Sequence, residues 1–191
     1  KHITVLSTAL LDAQIDFEYG DEEIMARHGR VERDRLWIGQ QPYRLVVLPP
    51  MTNLRRSTLA LLRQFAGNGG EIVAVGSLPH LVDGRPCEEA AQSLAEHATR
   101  IGDGVDLFDY SRTIDELTTR GGRTVTVKAD GEDVPAMKVH RRLWGDCEIL
   151  YLANISRDPV VARLCFVPEV SGVIEEWDLA TGATRPLAPC R

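Results

Sequence analysis

The sequence predicts an α/β half over residues 1–120 followed by a β-rich half over residues 121–191. Three observations carry this. Two continuous apolar runs, Leu45-Val46-Val47-Leu48 and Ile72-Val73-Ala74-Val75, read as strands covered on both faces, as parallel strands are. Between them Leu54, Leu61, Leu62 and Phe65 share one helical face, which makes the stretch a β-α-β unit. After Gly121-Gly122 the pattern changes to short alternating runs separated by turn signals.

Taken in order, Ile3, Leu6, Leu10 and Leu11 recur near helical spacing, and Ile15-Asp16-Phe17-Glu18-Tyr19 alternates, so a helix over 3–14 is expected to run into a short strand. Asp21 to Gly29 opens with acids and closes on Arg27-His28-Gly29, complementing a helix dipole at both ends. Val31 to Gln41 reads as a hairpin or loop bending at Gly39. The helix between the two buried strands is expected to take Thr52 or Asn53 as its N-cap and to stop at Asn68-Gly69-Gly70. Ala90, Leu94, Ala98 and Ile101 predict one helix over 88–101, and Tyr110 to Arg120 a further one. Beyond Arg123 the strand-like runs are 124–127, 137–140, 148–153, 160–167 and 172–177. Asp130-Gly131, Trp144-Gly145-Asp146, Ser156 to Pro159 and Thr181-Gly182 are the turns between them. The β-rich half reads as a partial, incomplete β-sandwich.

Composition excludes several classes. With 191 residues, 43% apolar content and a net charge of -6, the chain matches a globular protein and not a disordered or fibrous one. An acidic balance without a concentrated Lys/Arg face argues against a nucleic-acid partner. No stretch approaches the ~20 apolar residues of a membrane-spanning helix, so no membrane partner is expected. The first residue is Lys1 with no Met before it, as in a processed chain or a piece of a longer one. Cys87, Cys147, Cys165 and Cys190 form no C-x-x-C pair and have no His at ligand spacing. They read as small buried hydrophobes, and no metal or other cofactor is expected.

In parallel sheets ligands sit at the carboxyl ends of the strands, which here are Leu48-Pro49-Pro50-Met51 and Gly76-Ser77-Leu78-Pro79-His80. Neither end carries a phosphate-cradling glycine pattern, and Gly76-Ser77-Leu78-Pro79 is not a nucleophile elbow. An amidotransferase triad would place an acid two positions after its His, whereas Arg142 stands there after His140. Met51, Ser77 and His80 are therefore candidates for a small ligand only. Asp16, Glu18, Asp21, Glu22 and Glu23 admit a paired-carboxylate or hard-metal reading, but helix N-terminal acids beside the solvent face of an edge strand explain the same residues and are the expected reading. Glu175 and Glu176 fall on opposite strand faces and do not converge, while Asp178 starts the turn completed by Gly182. Among Trp37, Trp144 and Trp177, Trp144 stands in a turn and is the candidate for stacking on a sugar ring.

Leu10 to Tyr19, Tyr43 to Pro50 and Leu59 through Gly70 with the strand after it resemble, in that order, the flavodoxin-like or class I amidotransferase-like domain of large multidomain glycoside hydrolases. The α-L-rhamnosidase-like enzymes are the nearest in pattern, with similar domains in some β-galactosidases. His140-Arg141-Arg142, Tyr151 to Ser156 and Glu176 to Gly182 resemble the β-rich segment that follows in those enzymes. The resemblance implies a flavodoxin-like parallel sheet with flanking helices. It also implies that the catalytic carboxylates lie on a (β/α)₈ barrel, which 191 residues of this pattern do not form. The expected role is a non-catalytic accessory portion, truncated at both ends, that packs, oligomerises or shapes the rim of a sugar site. Its implied partners are the barrel of the same parent chain, a second copy and carbohydrate. The competing expectations are a stand-alone sugar or metabolite module using the crevice at Met51, Ser77 and His80, and a degenerate amidotransferase-like enzyme.

Overall fold

A computed structural model describes residues 2–102, 109–166 and 172–188. The chain divides into two compact units. One is built from the residues up to Leu10 together with Phe17–Gly122, the other from Leu11–Asp16 together with the residues from Arg123 onward.

The first unit begins with α1 (His2–Asp12), whose Leu6 and Leu10 are buried, and α2 (Glu22–His28). Asp21 caps α2: its Oδ1 accepts from the Glu23 and Ile24 amides, both at 2.9 Å, satisfying two of the donors a helix start leaves open. Then come β1 (Gly29–Glu32), β2 (Arg35–Ile38) and β3 (Gln41–Tyr43), an antiparallel sheet in that order. The bend at Gly39 has φ +61, a left-handed conformation open to glycine. The expected strand over 15–19 does not form: residues 15–20 belong to no helix or strand.

The β-α-β unit is present as β4 (Leu45–Leu48), β5 (Asn53–Leu54), α3 (Arg56–Gly67) and β6 (Glu71–Val75). β4 and β6 pair in parallel, Val46 opposite Ile72. The start of α3 differs from the expected cap. Its N-cap is Arg55, and Asn53 lies in β5 with its Oδ1 accepting from the Gly84 amide at 2.8 Å. The stop is as expected: Gly69 has φ +88, and the Gly70 amide donates to the Phe65 carbonyl at 2.9 Å.

Then follow β7 (Leu81–Val82), β8 (Arg85–Pro86), α4 (Glu88–His97), β9 (Ala98–Ile101) and α5 (Ser111–Thr119). The expected single helix over 88–101 ends at His97, and Ala98 to Ile101 form a third parallel strand beside β6. The parallel sheet therefore reads β4-β6-β9, and a small second sheet reads β5-β7-β8. The class is mixed α/β with several small sheets, some of them parallel, and five helices among the described residues. Phe65 and Val73 are fully buried, and Leu62, Ile72, Leu94 and Val82 are nearly so, which places the core on the faces of this sheet.

The second unit takes in the last two residues of α1, Leu11 and Asp12, and from Arg123 onward its described elements are strands: β10 (Val125–Ala129), β11 (Glu132–Asp133), β12 (Met137–Trp144), β13 (Cys147–Asn154), β14 (Arg163–Phe166), β15 (Ile174–Trp177) and β16 (Thr184–Leu187). Asp130-Gly131, with φ +51 and +88, close the β10–β11 hairpin. Among the described residues the sheets are β11-β10-β14, β12-β13 and β15-β16. Val125, Val127 and Val139 form a small core with Met137, Leu150, Leu152, Leu164 and Phe166 packed around it. Every residue of the β15–β16 hairpin except Ile174 is exposed. Val167 and Cys190 lie outside the described residues. Of the other cysteines, Cys87 and Cys165 are half-buried, but Cys147 is exposed at the β12–β13 turn, against the expectation of a buried hydrophobe.

Candidate functional site

Three of the four expected ligand residues lie where the loops after β4 and β6 meet. The Thr52 carbonyl accepts from the His80 amide at 3.1 Å and from the Leu81 amide at 2.9 Å, so backbone bonds join the two loops. The His80 carbonyl in turn accepts from the Cys87 amide at 2.9 Å. Met51 packs against the main core cluster, Pro79 is buried, and Ser77 and His80 are exposed. The described strands β4, β6 and β9 follow one another in a single direction, without the order reversal that opens a ligand crevice in doubly wound sheets. Trp144 belongs to the other unit, at the tip of the β12–β13 hairpin, and is 73% exposed.

The N-terminal acids each have a partner of their own chain, Arg55 serving two of them. Tyr43 Oη donates to Glu18. Glu22 Oε1 accepts from the Arg55 amide at 2.8 Å, and Asp21 is the α2 cap. Glu23 pairs with Arg55 and with Arg27, at 2.7 Å from the latter, and these guanidiniums hold its carboxyl below the usual range. Among the described residues no group of three His, Cys, Asp or Glu side chains converges as a metal would require. Glu176 pairs across the strands with Arg185, whose Nε lies 2.7 Å from Glu176 Oε2. Asp178 Oδ1 accepts from the Ala180 amide at 2.8 Å and the Thr181 amide at 3.3 Å, which lowers its pKa. Trp37 has the Arg30 guanidinium over its ring at 5.0 Å, and Trp177 is 65% exposed.

Asp16 departs from that group. Its Oδ1 lies 2.9 Å from His140 Nδ1 and its Oδ2 accepts from the Arg141 amide at 3.0 Å. The carboxylate absent two places after His140 is thus supplied from the N-terminal segment, orienting the ring from one nitrogen. In the β12–β13 register His140 stands opposite Tyr151, and Arg142 opposite Ile149. By strand alternation His140, Arg142 and Trp144 share one face of the hairpin with Cys147, Ile149 and Tyr151. Ile149 and Tyr151 are about half exposed, at 49% and 51%.

A polar cluster that sequence reasoning missed centres on Arg120, at the end of α5. Arg120 bonds Glu71 at 2.6 Å, Glu116 at 2.6 Å and Thr99 Oγ1 at 2.9 Å, tying α5 to two strands. Beside it is an open depression of about 370 Å³ lined by Arg100, Arg112, Asp115 and Glu116. Only the i,i+4 spacing of Glu116 and Arg120 on one helix face hinted at it.

These observations define the class: a mixed α/β unit with a parallel three-stranded sheet, joined in one chain to an antiparallel β unit. No family model matches the sequence, and no curated protein matches it. Among solved structures the fold is similar to the apo exo-carrageenase GH42 from Bacteroides ovatus, with a TM-score of 0.54 at 9% identity, covering 99% of this chain and 26% of that one. This chain therefore corresponds to about a quarter of the length of that enzyme. The likeness is one of fold alone.

Proposed function

We propose that the chain is a non-catalytic accessory portion of a glycoside hydrolase, serving to pack against the catalytic barrel, to oligomerise or to shape the rim of a sugar site. The observation that carries this reading is the fold match itself: nearly the whole chain, 99%, superimposes on 26% of a GH42 enzyme. Two features support it. The acids that would have to act as a catalytic pair are engaged separately, by Arg55, Arg27, Tyr43, His140 and Arg185. Apolar side chains are also left open to solvent on the β unit: Val161, Val173 and Leu179 are at least 80% exposed, and Trp144 and Trp177 are close behind. A flavodoxin-like sheet, a partial β-sandwich and a rhamnosidase-like or galactosidase-like parent belong to the same reading. Assaying the chain against aryl glycosides tests it, with no turnover expected and measurable activity overturning it.

The second reading, a stand-alone sugar or metabolite module at Met51, Ser77 and His80, rests on the exposure of Ser77 and His80 beside Met51. Calorimetry against a sugar panel tests it. Binding weakened by Ser77→Ala or His80→Ala supports the module, and binding unchanged by both removes it.

A further inference from the structure

The six residues Leu11–Asp16 are adjacent in sequence to α/β residues on both sides, yet they belong to the β unit. Their side chains alternate in purpose. Asp12 pairs with Lys138. Gln14, 2% exposed, gives both amide hydrogens to carbonyls, Val127 O at 3.1 Å and Val134 O at 2.9 Å. Its Oε1 accepts from the Val127 amide at 2.7 Å and from Arg123 at 3.4 Å. Asp16 holds His140 and the Arg141 amide. Ile15, between them, is 5% exposed. Gln14 itself has φ +57, the left-handed turn that ends α1 and aims its side chain into β10.

The β10–β11 ladder explains what the amide does. Register pairing stops at Lys128 opposite Asp133, and the Val134 amide still reaches Val127 O at 3.0 Å. The Val127 amide, next along the strand, meets Gln14 Oε1. The Gln14 side chain continues the sheet by one step where the backbone of β11 has left it, and Asp16 does the same for the Arg141 amide on β12.

We propose that Asp12-Ala13-Gln14-Ile15-Asp16 is a recognition segment held in cis, and that the β unit carries its docking surface. That surface comprises the Val127 and Arg141 backbone with Arg123, Lys138 and His140, and it is specific for an acid-x-Gln-x-acid stretch. The docked segment is what completes the β unit. This goes beyond the accessory reading and stands whether or not that reading does.

Hydrogen exchange of the full chain, resolved at single amides, tests it. In Gln14→Ala, exchange at Val127 and across β10, β12 and β14 rises by about tenfold or more, while Val47 and Val73 in the parallel sheet keep their rates. Excess synthetic peptide carrying residues 9–18 restores the protection, and the same peptide with Gln14→Leu does not. Acceleration confined to residues 11–16, equal acceleration in β4 and β6, or equal effects of the two peptides overturns the proposal. Should Gln14→Ala fail to fold, Asp16→Asn keeps the shape and removes the charge. Faster exchange at Arg141 with Val127 unchanged is then expected, and an unchanged Arg141 overturns the proposal.

Discussion

Gln14 reaches Val127 across 113 positions of sequence and bonds both its amide hydrogen and its carbonyl. A buried carboxamide with all four of its bonds made is among the costlier groups to remove, because its partners are left desolvated. Gln14→Leu, which keeps the volume and loses the polarity, is expected to destabilise the fold by about 2–4 kcal/mol in urea titration. A loss below about 0.5 kcal/mol would show that water replaces the side chain at no cost.

Gly67 and Gly70 make an opposed pair at the end of α3. A Cβ on Gly70 would lie 2.1 Å from the ring of Phe65, which is fully buried, whereas a Cβ on Gly67 meets nothing within 4 Å. Gly70→Ala is expected to cost about 1–3 kcal/mol through overpacking. Gly67→Ala, in a helical residue, is expected to stabilise by about 0.5–1 kcal/mol. Thermal midpoints of the two variants moving in the same direction would contradict this packing.

Arg120 ties α5 to Glu71 of β6 and Thr99 of β9 with its side chain about a quarter exposed, at 26%. Its bonds are partly screened, so Arg120→Ala is expected to cost only about 1 kcal/mol. A double-mutant cycle with Glu71→Gln should return a coupling of about 0.5–1 kcal/mol, and zero coupling would mean the bridge contributes nothing.

The β15–β16 turn carries an acid dependence. Asp178 accepts backbone bonds from Ala180 and Thr181, so its pKa in the fold is lowered. A lowered pKa contributes stability above the ordinary aspartate range of about 3.9, and that contribution is lost as pH falls from there through the folded value. Amide exchange at Ala180 and Thr181, corrected for intrinsic rates, should accelerate across that window in the wild type and be pH-independent in Asp178→Asn.

The legible parts of the sequence were those where one local pattern has one cause. The apolar runs of β4 and β6 and the Asn68-Gly69-Gly70 stop report burial and backbone conformation directly, and they stand in the structure where the pattern put them. The alternation of Ile15 to Tyr19 predicted a strand, whereas these residues belong to no helix or strand: Asp16 bonds His140 and the Arg141 amide, and Glu18 accepts from Tyr43. Ala98 and Ile101 fit the helical period of α4 by spacing, but their place beside β6 is a tertiary choice that a helix wheel does not contain. The cap at Arg55 was missed for a similar reason: Asn53, the better capping residue, is used by Gly84.

Of the candidate site, the exposure of Trp144 followed from the turn residues Gly145-Asp146 after it. The joining of the Met51 and His80 loops through Thr52 depends on the β5–β7 pairing, two residues on each side, too short to leave a signal in the sequence. The pairing of Asp16 with His140, 124 positions apart, leaves none either.

The accessory reading is tested most directly by steady-state assay of the purified chain against a panel of aryl glycosides that includes α-L-rhamnosides and β-galactosides. The expected result is release of aryl alcohol no faster than the buffer blank. Turnover above that blank, abolished by a single carboxylate substitution such as Asp16→Asn or Glu18→Gln, would contradict the account by showing that the chain carries an active site of its own.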